Sequence, residues 1–213
     1  MEAPRRLGLF GGSFDPIHTG HLHAARVAQG AFGLHRVVFV PAARPPHKPG
    51  RELASGSHRL AMIELAIAGE PTWCASDVEL RREGPSYTVD TVPALAAAVG
   101  EPADARVFLV LGSDNLPGLP SWRSVEELLR LAQPVIVLRG GDDGRLPASV
   151  RASLSDEAIA RLEEGIVRAA PAPGASTELR DALSEGERRP PELPPAVQRY
   201  VAEHGLYGGR RWD

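Results

Sequence analysis

Two histidines three residues apart, His18 and His21, stand at the start of a helix-forming stretch, just behind the adjacent glycines Gly11 and Gly12. A spacing of three puts both imidazoles on one helix face. A helix start also offers unsatisfied N–H groups and the positive end of the helix dipole. The paired glycines let the backbone approach a ligand with no Cβ in the way. The whole stretch Gly11-Gly12-Ser13-Phe14-Asp15-Pro16-Ile17-His18-Thr19-Gly20-His21 therefore predicts an anion site, with phosphate the favoured anion. A tight strand-to-helix turn alone would be common. The two histidines, and Asp15-Pro16 stiffening the turn, raise it above that. Metal chelation by His18 and His21 is the main rival. Zinc usually takes three or four protein ligands, His23 faces a different side from His21, and no obvious acidic partner lies nearby in sequence, so chelation ranks below phosphate binding.

The elements that must hold this turn can be read from apolar periodicity. A strand over residues 7–10 precedes it, and a helix over about 19–32, ended near Gly33, follows. The runs Val37-Val38-Phe39-Val40 and Val107-Phe108-Leu109-Val110-Leu111 are short and continuously apolar, as in strands buried on both faces. Further strands are expected at 73–76, 134–138 and 166–169. Helices are expected from a Ser57 cap to about 68, over 89–99 with Pro93 in the first turn or at a kink, and over 125–131, 156–164 and 195–204, with a short one opening at Ser176. Residues 144–153 read as loop. Strand alternating with helix predicts a parallel sheet covered on both faces. Ligands in such sheets sit beyond the carboxyl ends of the strands, so the segments after Phe10, Val40, Leu111 and Leu138 should line one pocket.

Those segments carry further candidates. Lys48, on a loop past a strand end, can bring a mobile charge to phosphates, though alone it would read as a surface lysine. Tyr87 and Thr88 lie where a loop meets a helix, where free N–H groups suit a carboxylate. Trp122 can stack on a planar ring, or be a half-buried structural residue. Asp114, two residues past Gly112, can accept from ribose hydroxyls or cap a turn. Arg139 closes another strand end as a weaker phosphate candidate and is grouped with the acceptor-substrate residues. Ser176, Thr177 and Arg180 offer hydroxyls, N–H groups and a guanidinium fork at a helix start. No Gly-x-x-x-x-Gly-Lys-Ser/Thr sequence occurs, and the turn is not Gly-x-Gly-x-x-Gly.

Bulk properties narrow the class. The 213 residues suit one domain, 1–213, with a C-terminal helical part from about 174. The apolar share of 43% and charged share of 24% are those of a globular protein. A net charge of -3 argues against a general nucleic-acid or membrane-surface binder. The single cysteine, Cys74, excludes an internal disulfide and a cysteine-based metal site. Arg5 and Arg6 are followed by no long apolar core, which fits neither a signal peptide nor a membrane span, and a cytoplasmic location is expected.

The stretch from Gly11 to His21 resembles the signature of the nucleotidyltransferase superfamily that carries the HxGH motif. That superfamily has a second signature, Ile-Ser-Ser-Thr-x-Ile-Arg, which Gly174-Ala175-Ser176-Thr177-Glu178-Leu179-Arg180 resembles. Here Gly174 replaces the leading Ile and Ala175 the first Ser, which predicts one lost hydroxyl contact and a looser approach to the helix. Pro45-Pro46-His47-Lys48, Ser86-Tyr87-Thr88-Val89-Asp90-Thr91, Gly112-Ser113-Asp114-Asn115-Leu116 with Trp122, and Leu193-Pro194 through Tyr200 to Leu206-Tyr207 are similar to segments of bacterial nicotinate-nucleotide adenylyltransferases. The resemblance runs along nearly the whole chain, in order. It implies an α/β, Rossmann-like doubly wound parallel sheet with a small C-terminal helical extension. It implies ATP and nicotinate mononucleotide as substrates and Mg²⁺ carried by the ATP phosphates, with no protein metal cage, no nucleic acid and no membrane; a homo-oligomer stays open. By the resemblance His18, His21, Lys48 and Arg180 are catalytic. Gly11, Gly12, Ser13, Phe14, Gly112, Asp114, Ser176 and Thr177 join His18, His21 and Arg180 on ATP. Lys48, Tyr87, Thr88, Trp122 and Arg139 serve the acceptor. Two alternatives remain. One is a pantetheine-phosphate or nicotinamide-nucleotide adenylyltransferase of the same superfamily. The other is a nucleotide-sensing module that kept the fold, against which the retained histidines speak.

Overall fold

The computed structural model describes residues 4–46, 53–170, 173–187 and 189–208. Among these residues six strands form one sheet: β1 (Arg6–Gly12), β2 (Arg36–Pro41), β3 (Trp73–Ala75), β4 (Arg106–Gly112), β5 (Gln133–Val137) and β6 (Ile166–Val167). Their order is β3-β2-β1-β4-β5-β6 and every pairing is parallel. Among the described residues the α-helices are α1 (Thr19–Phe32), α2 (Gly56–Ile67), α3 (Thr88–Ala98), α4 (Val125–Leu131), α5 (Ala148–Ser153), α6 (Asp156–Glu164), α7 (Ser176–Ser184) and α8 (Pro195–Glu203). None among the described residues is long and apolar enough to cross a membrane.

The strands are apolar on both faces because both faces are covered. Side chains alternate along each strand and so feed two separate cores. Leu7, Leu9, Val38, Val40, Leu109, Leu111 and Ile136 pack with Val92, Leu95, Leu128 and Leu162 of α3, α4 and α6. Phe10, Val37, Phe39, Val110, Val135 and Val137 pack with Leu22, Ile63, Leu179 and Val197 of α1, α2, α7 and α8. This is the doubly wound α/β arrangement. The strand order reverses between β1 and β4, so a crevice opens at their carboxyl ends, where ligands of such folds bind.

Local departures from the sequence reading have local causes. Ser55, not Ser57, caps α2: its hydroxyl accepts from His58 N–H and also meets the Ser57 hydroxyl at 2.8 Å. Pro93 lies inside α3 rather than in its first turn, which removes one N–H from the ladder. Residues 148–153 form α5, a single short segment that buries Val150 alone, too little to show as a period. A 3-10 helix over Ser113–Ser121, containing Pro117 and Pro120, follows β4. It is held by short-range turns that leave no 3.6-residue apolar pattern.

Candidate active site

The turn after β1 is built around a buried aromatic. Phe14 adopts φ 47°, and its ring, 1% exposed, lies 5.5 Å from that of Phe10, 5.8 Å from Phe39 and 5.0 Å from His21. A Cβ on Gly12 would press into the Phe14 ring at 3.1 Å, whereas one on Gly11 would meet nothing within 4 Å. The two glycines thus do different work. Gly12 makes room for the turn's own side chain, and Gly11 leaves backbone open to a ligand.

His18 is the N-cap of α1 and His21 its third residue. The rings lie 3.7 Å apart between centroids, on one face as the spacing requires. The His18 backbone N–H donates to His21 Nδ1 at 3.3 Å. That contact makes Nδ1 an acceptor and places the His21 proton on Nε2. His18 itself is only 1% exposed. Burial first, then the positive charge of Arg139, bring its pKa from 6.5 down to about 4. It is therefore a neutral imidazole near pH 7, a hydrogen-bonding group rather than a cation. Its Nδ1 is buried and, among the described residues, has no hydrogen-bond partner.

Two cavities flank the turn and share Gly11, Gly12, Ser13, Asp114 and Asn115. The larger, about 480 Å³, adds Ser86, Tyr87, Thr88, Trp122 and Arg123. The smaller, about 150 Å³, adds His21, His23, Gly112, Arg139 and Gly174. His23, expected on a different side from His21, thus borders the same cavity, because it reaches across to the Ala170 carbonyl at 3.0 Å. Asp114 and Arg139 pair at 3.2 Å where the cavities meet. Arg139 is therefore brought to the histidine end and not to Tyr87 and Trp122.

The far wall of the larger cavity is the start of α3. Tyr87 is the N-cap and Thr88 the first helical residue. Arg82 holds this end, donating to the Tyr87 carbonyl at 3.3 Å and to Thr91 Oγ1 at 3.0 Å. Thr91 in turn donates to the buried Glu79 carboxylate at 2.7 Å. Ser86 Oγ accepts from Ala43 N–H at 2.8 Å, tying the loop after β2 to the same corner.

The second signature lies behind the turn. Ser176 Oγ donates to the Pro16 carbonyl at 3.1 Å. Arg180 donates through Nη1 to the Asp15 carbonyl at 2.5 Å and through Nη2 to Thr177 Oγ1 at 3.0 Å. None of Ser176, Thr177 and Arg180 lines either cavity. Gly174 shows no looser approach. At φ 120° it packs so closely on His18 that a Cβ would come within 2.9 Å of Nδ1. Lys48 and His47 lie outside the described residues.

Sequence reasoning missed the support beneath the turn. Asp15 is 1% exposed, and its Oδ1 accepts from Ala54 N–H at 3.1 Å and from the Tyr207 hydroxyl at 2.7 Å. Buried Arg59 donates to the Ala54 and Ser13 carbonyls, both at 2.8 Å. It also missed Arg123, which directly follows Trp122 and sits over the Tyr87 ring, 4.7 Å from its centroid. Adjacency to Trp122 was the available signal.

Among the described residues no group of three or more His, Cys, Asp or Glu side chains could cage a metal ion.

The carboxyl-end crevice, the paired histidines and the open glycine define a nucleotide-handling α/β protein. Residues 9–181 match the family described as cytidylyltransferase-like. The chain belongs to that family, and within it groups with proteins named probable nicotinate-nucleotide adenylyltransferases. The one from Symbiobacterium thermophilum is 43% identical, over 95% of each chain. That from Thermomicrobium roseum is 38% identical, over 95% of this chain and 91% of its own. The fold matches the Plasmodium falciparum nicotinic acid mononucleotide adenylyltransferase complexed with NaAD, with TM-score 0.69 and 19% identity, covering 95% of this chain and 97% of that one.

Proposed function

We propose that this chain is an adenylyltransferase that joins ATP and nicotinate mononucleotide into nicotinate adenine dinucleotide, releasing pyrophosphate, a step of NAD biosynthesis. The observation that carries this reading is the pair of cavities meeting at Gly11–Ser13 and Asp114–Asn115, an arrangement that would bring the phosphates of two nucleotides face to face. The relatives' names agree with it. Nicotinate mononucleotide belongs in the larger cavity, its ring near Trp122 and its carboxylate at the Tyr87–Thr88 helix start. ATP belongs on the histidine side, with Asp114 near its ribose and Arg139 near its phosphates. The chain acts as one unit, residues 1–213, to which the C-terminal helices contribute. It works in the cytoplasm.

An oxygen of the mononucleotide phosphate attacks the α-phosphorus of ATP. A new P–O–P bridge forms, the bond to the β-phosphate oxygen breaks, and pyrophosphate leaves with the electron pair. The attacking phosphate is already an anion, so no general base is needed. The protein's task is to hold two anions in line and to offset charge on the leaving group. The Gly11 backbone allows the close approach, and His21 offers its Nε2–H. His18 serves as a neutral hydrogen-bonding group, and Lys48 adds positive charge. Ser176, Thr177 and Arg180 brace the turn from behind, and Arg180 is the group of the three that can turn towards the β- and γ-phosphates. Mg²⁺ carried on the ATP phosphates would supply charge neutralisation, and Asp114, a carboxylate where the two cavities meet, would help to hold it.

The test is pyrophosphate release and dinucleotide formation from ATP with nicotinate mononucleotide, compared with the nicotinamide mononucleotide. Turnover of the acid in preference to the amide is expected. A preference for the amide, or no turnover of either, overturns the reading. His18→Ala should lower turnover by about two to four orders of magnitude, the range for removing a transition-state hydrogen-bonding group, with an unchanged circular dichroism spectrum. Near-normal turnover in that folded variant would remove His18 from the mechanism.

A further inference from the structure

We infer that Arg123 is a specificity-determining residue of the larger cavity, biasing it electrostatically toward a mononucleotide whose ring carries a carboxylate, with Asp90 setting the strength of that bias. The inference rests on the proposed adenylyl transfer and concerns the acceptor end of the same site. Of the described residues lining this cavity, Arg123 is the only cation, while Glu79 and Asp114 are acids. Glu79 is buried under Thr91, and Asp114 is paired with Arg139 at the opposite end. The neighbouring Arg82 is engaged with the Tyr87 carbonyl and Thr91. An anionic ring substituent entering this wall therefore meets Arg123 as the positive group at the surface.

The placement is set by two contacts. The Arg123 guanidinium lies over the Tyr87 ring, 4.7 Å from its centroid, a cation–π geometry that steadies the planar fork. Its Nη1 reaches Asp90 Oδ2 at 3.5 Å, a long and incomplete ion pair. Both side chains stay open to solvent, Arg123 at 56% and Asp90 at 42%. Arg123 is thus held against the residue whose backbone opens α3, yet only part of its charge is spent on Asp90. A carboxylate at the start of α3 gains from the remainder, and a neutral carboxamide does not. Because the pair faces water, the gain is that of an exposed charge pair, about three- to fivefold in kcat/KM, and salt should screen it.

The test compares kcat/KM for nicotinate and nicotinamide mononucleotides, with ATP held constant, in wild type, Arg123→Gln, Arg123→Lys and Asp90→Asn, with melting curves for each. Arg123→Gln should lower the acid-to-amide ratio about three- to fivefold and remove most of its dependence on added NaCl. Arg123→Lys, which keeps the charge and loses the planar stack, should retain the preference. Asp90→Asn should raise it, since it frees the guanidinium. A residue that merely props Tyr87 would instead lower acid and amide together, and loss of its Asp90 contact would do the same. A ratio unchanged in Arg123→Gln, or equal losses for both substrates, overturns the inference. Wild-type protein that turns over neither mononucleotide overturns the adenylyl-transfer reading instead, so the two failures are distinct.

Discussion

His18 shows how a single residue's setting decides its chemistry. The sequence marks it as a helix-start histidine in an anion site and leaves its charge open. Burial and Arg139 make it neutral, with a pKa of about 4 against 6.5 in the unfolded chain. The stability consequence has a fixed sign. Above about pH 6.5 both states are neutral at this site and it contributes no slope. Between pH 6.5 and 4 the unfolded chain takes up the proton and the folded chain resists it, so stability falls as pH falls. The loss from this residue should reach about 3 kcal/mol by pH 4. Denaturant melts of wild type and His18→Asn across that window should show a shallower slope in the variant, and parallel slopes would contradict the burial account. The same residue explains Gly174. A motif comparison reads that glycine as the loss of an isoleucine. In the fold it lets the chain pass against His18, where any larger residue would displace the imidazole, and its φ of 120° suits glycine alone.

At the scale of elements, the C-terminal helices anchor the turn. The Tyr207 hydroxyl bonds Asp15 Oδ1 across 192 residues of sequence. Burial first, then the Asp15 charge and hydrogen bond, push the phenol well above its ordinary range, so it remains a donor throughout working pH. Tyr207→Phe removes a hydrogen bond to a buried carboxylate, a loss of about 1.5–3 kcal/mol. A fall in melting temperature of roughly 3–12 °C is expected for a chain of this size. The KM for ATP should rise more than kcat falls, because Asp15 keeps its Ala54 contact and the turn loosens without losing a reacting group. An unchanged KM in a destabilised variant would confine Tyr207 to the fold. Such links were not legible in the sequence. The strands of the sheet and the helices α4 and α6 were, because burial on both faces or one stripe leaves a period. Asp15 and Tyr207 each look like ordinary turn residues, and nothing local couples them. The same holds for Arg59, whose two carbonyl partners at Ala54 and Ser13 belong to different segments. The 3-10 helix over Ser113–Ser121 was missed for a related reason: proline and glycine set its turns, and it carries no apolar stripe.

For the whole molecule, the order β3-β2-β1-β4-β5-β6 places the sheet's reversal between β1 and β4, and both cavities open at that point. The shared floor is the end of β1 and the start of the 3-10 helix after β4, the two adjacent strands whose crossovers leave on opposite faces. A ligand spanning the crevice should therefore touch both halves, while each mononucleotide touches one. Nicotinate adenine dinucleotide should bind more tightly than nicotinate mononucleotide alone, since its two halves are tied and pay the entropy of association once. Trp122 lies on the larger cavity only. Replacing it with alanine should weaken dinucleotide and nicotinate mononucleotide by a common factor, about 5- to 100-fold for the loss of one ring stack. ATP affinity should change by less than about twofold, because Trp122 borders the larger cavity while His21, Arg139 and Gly174 border the smaller one. Titration calorimetry of the three ligands on both proteins measures this. An equal loss for ATP would mean that the two cavities are one coupled site, and the assignment of acceptor and donor to separate halves of the crevice would fail.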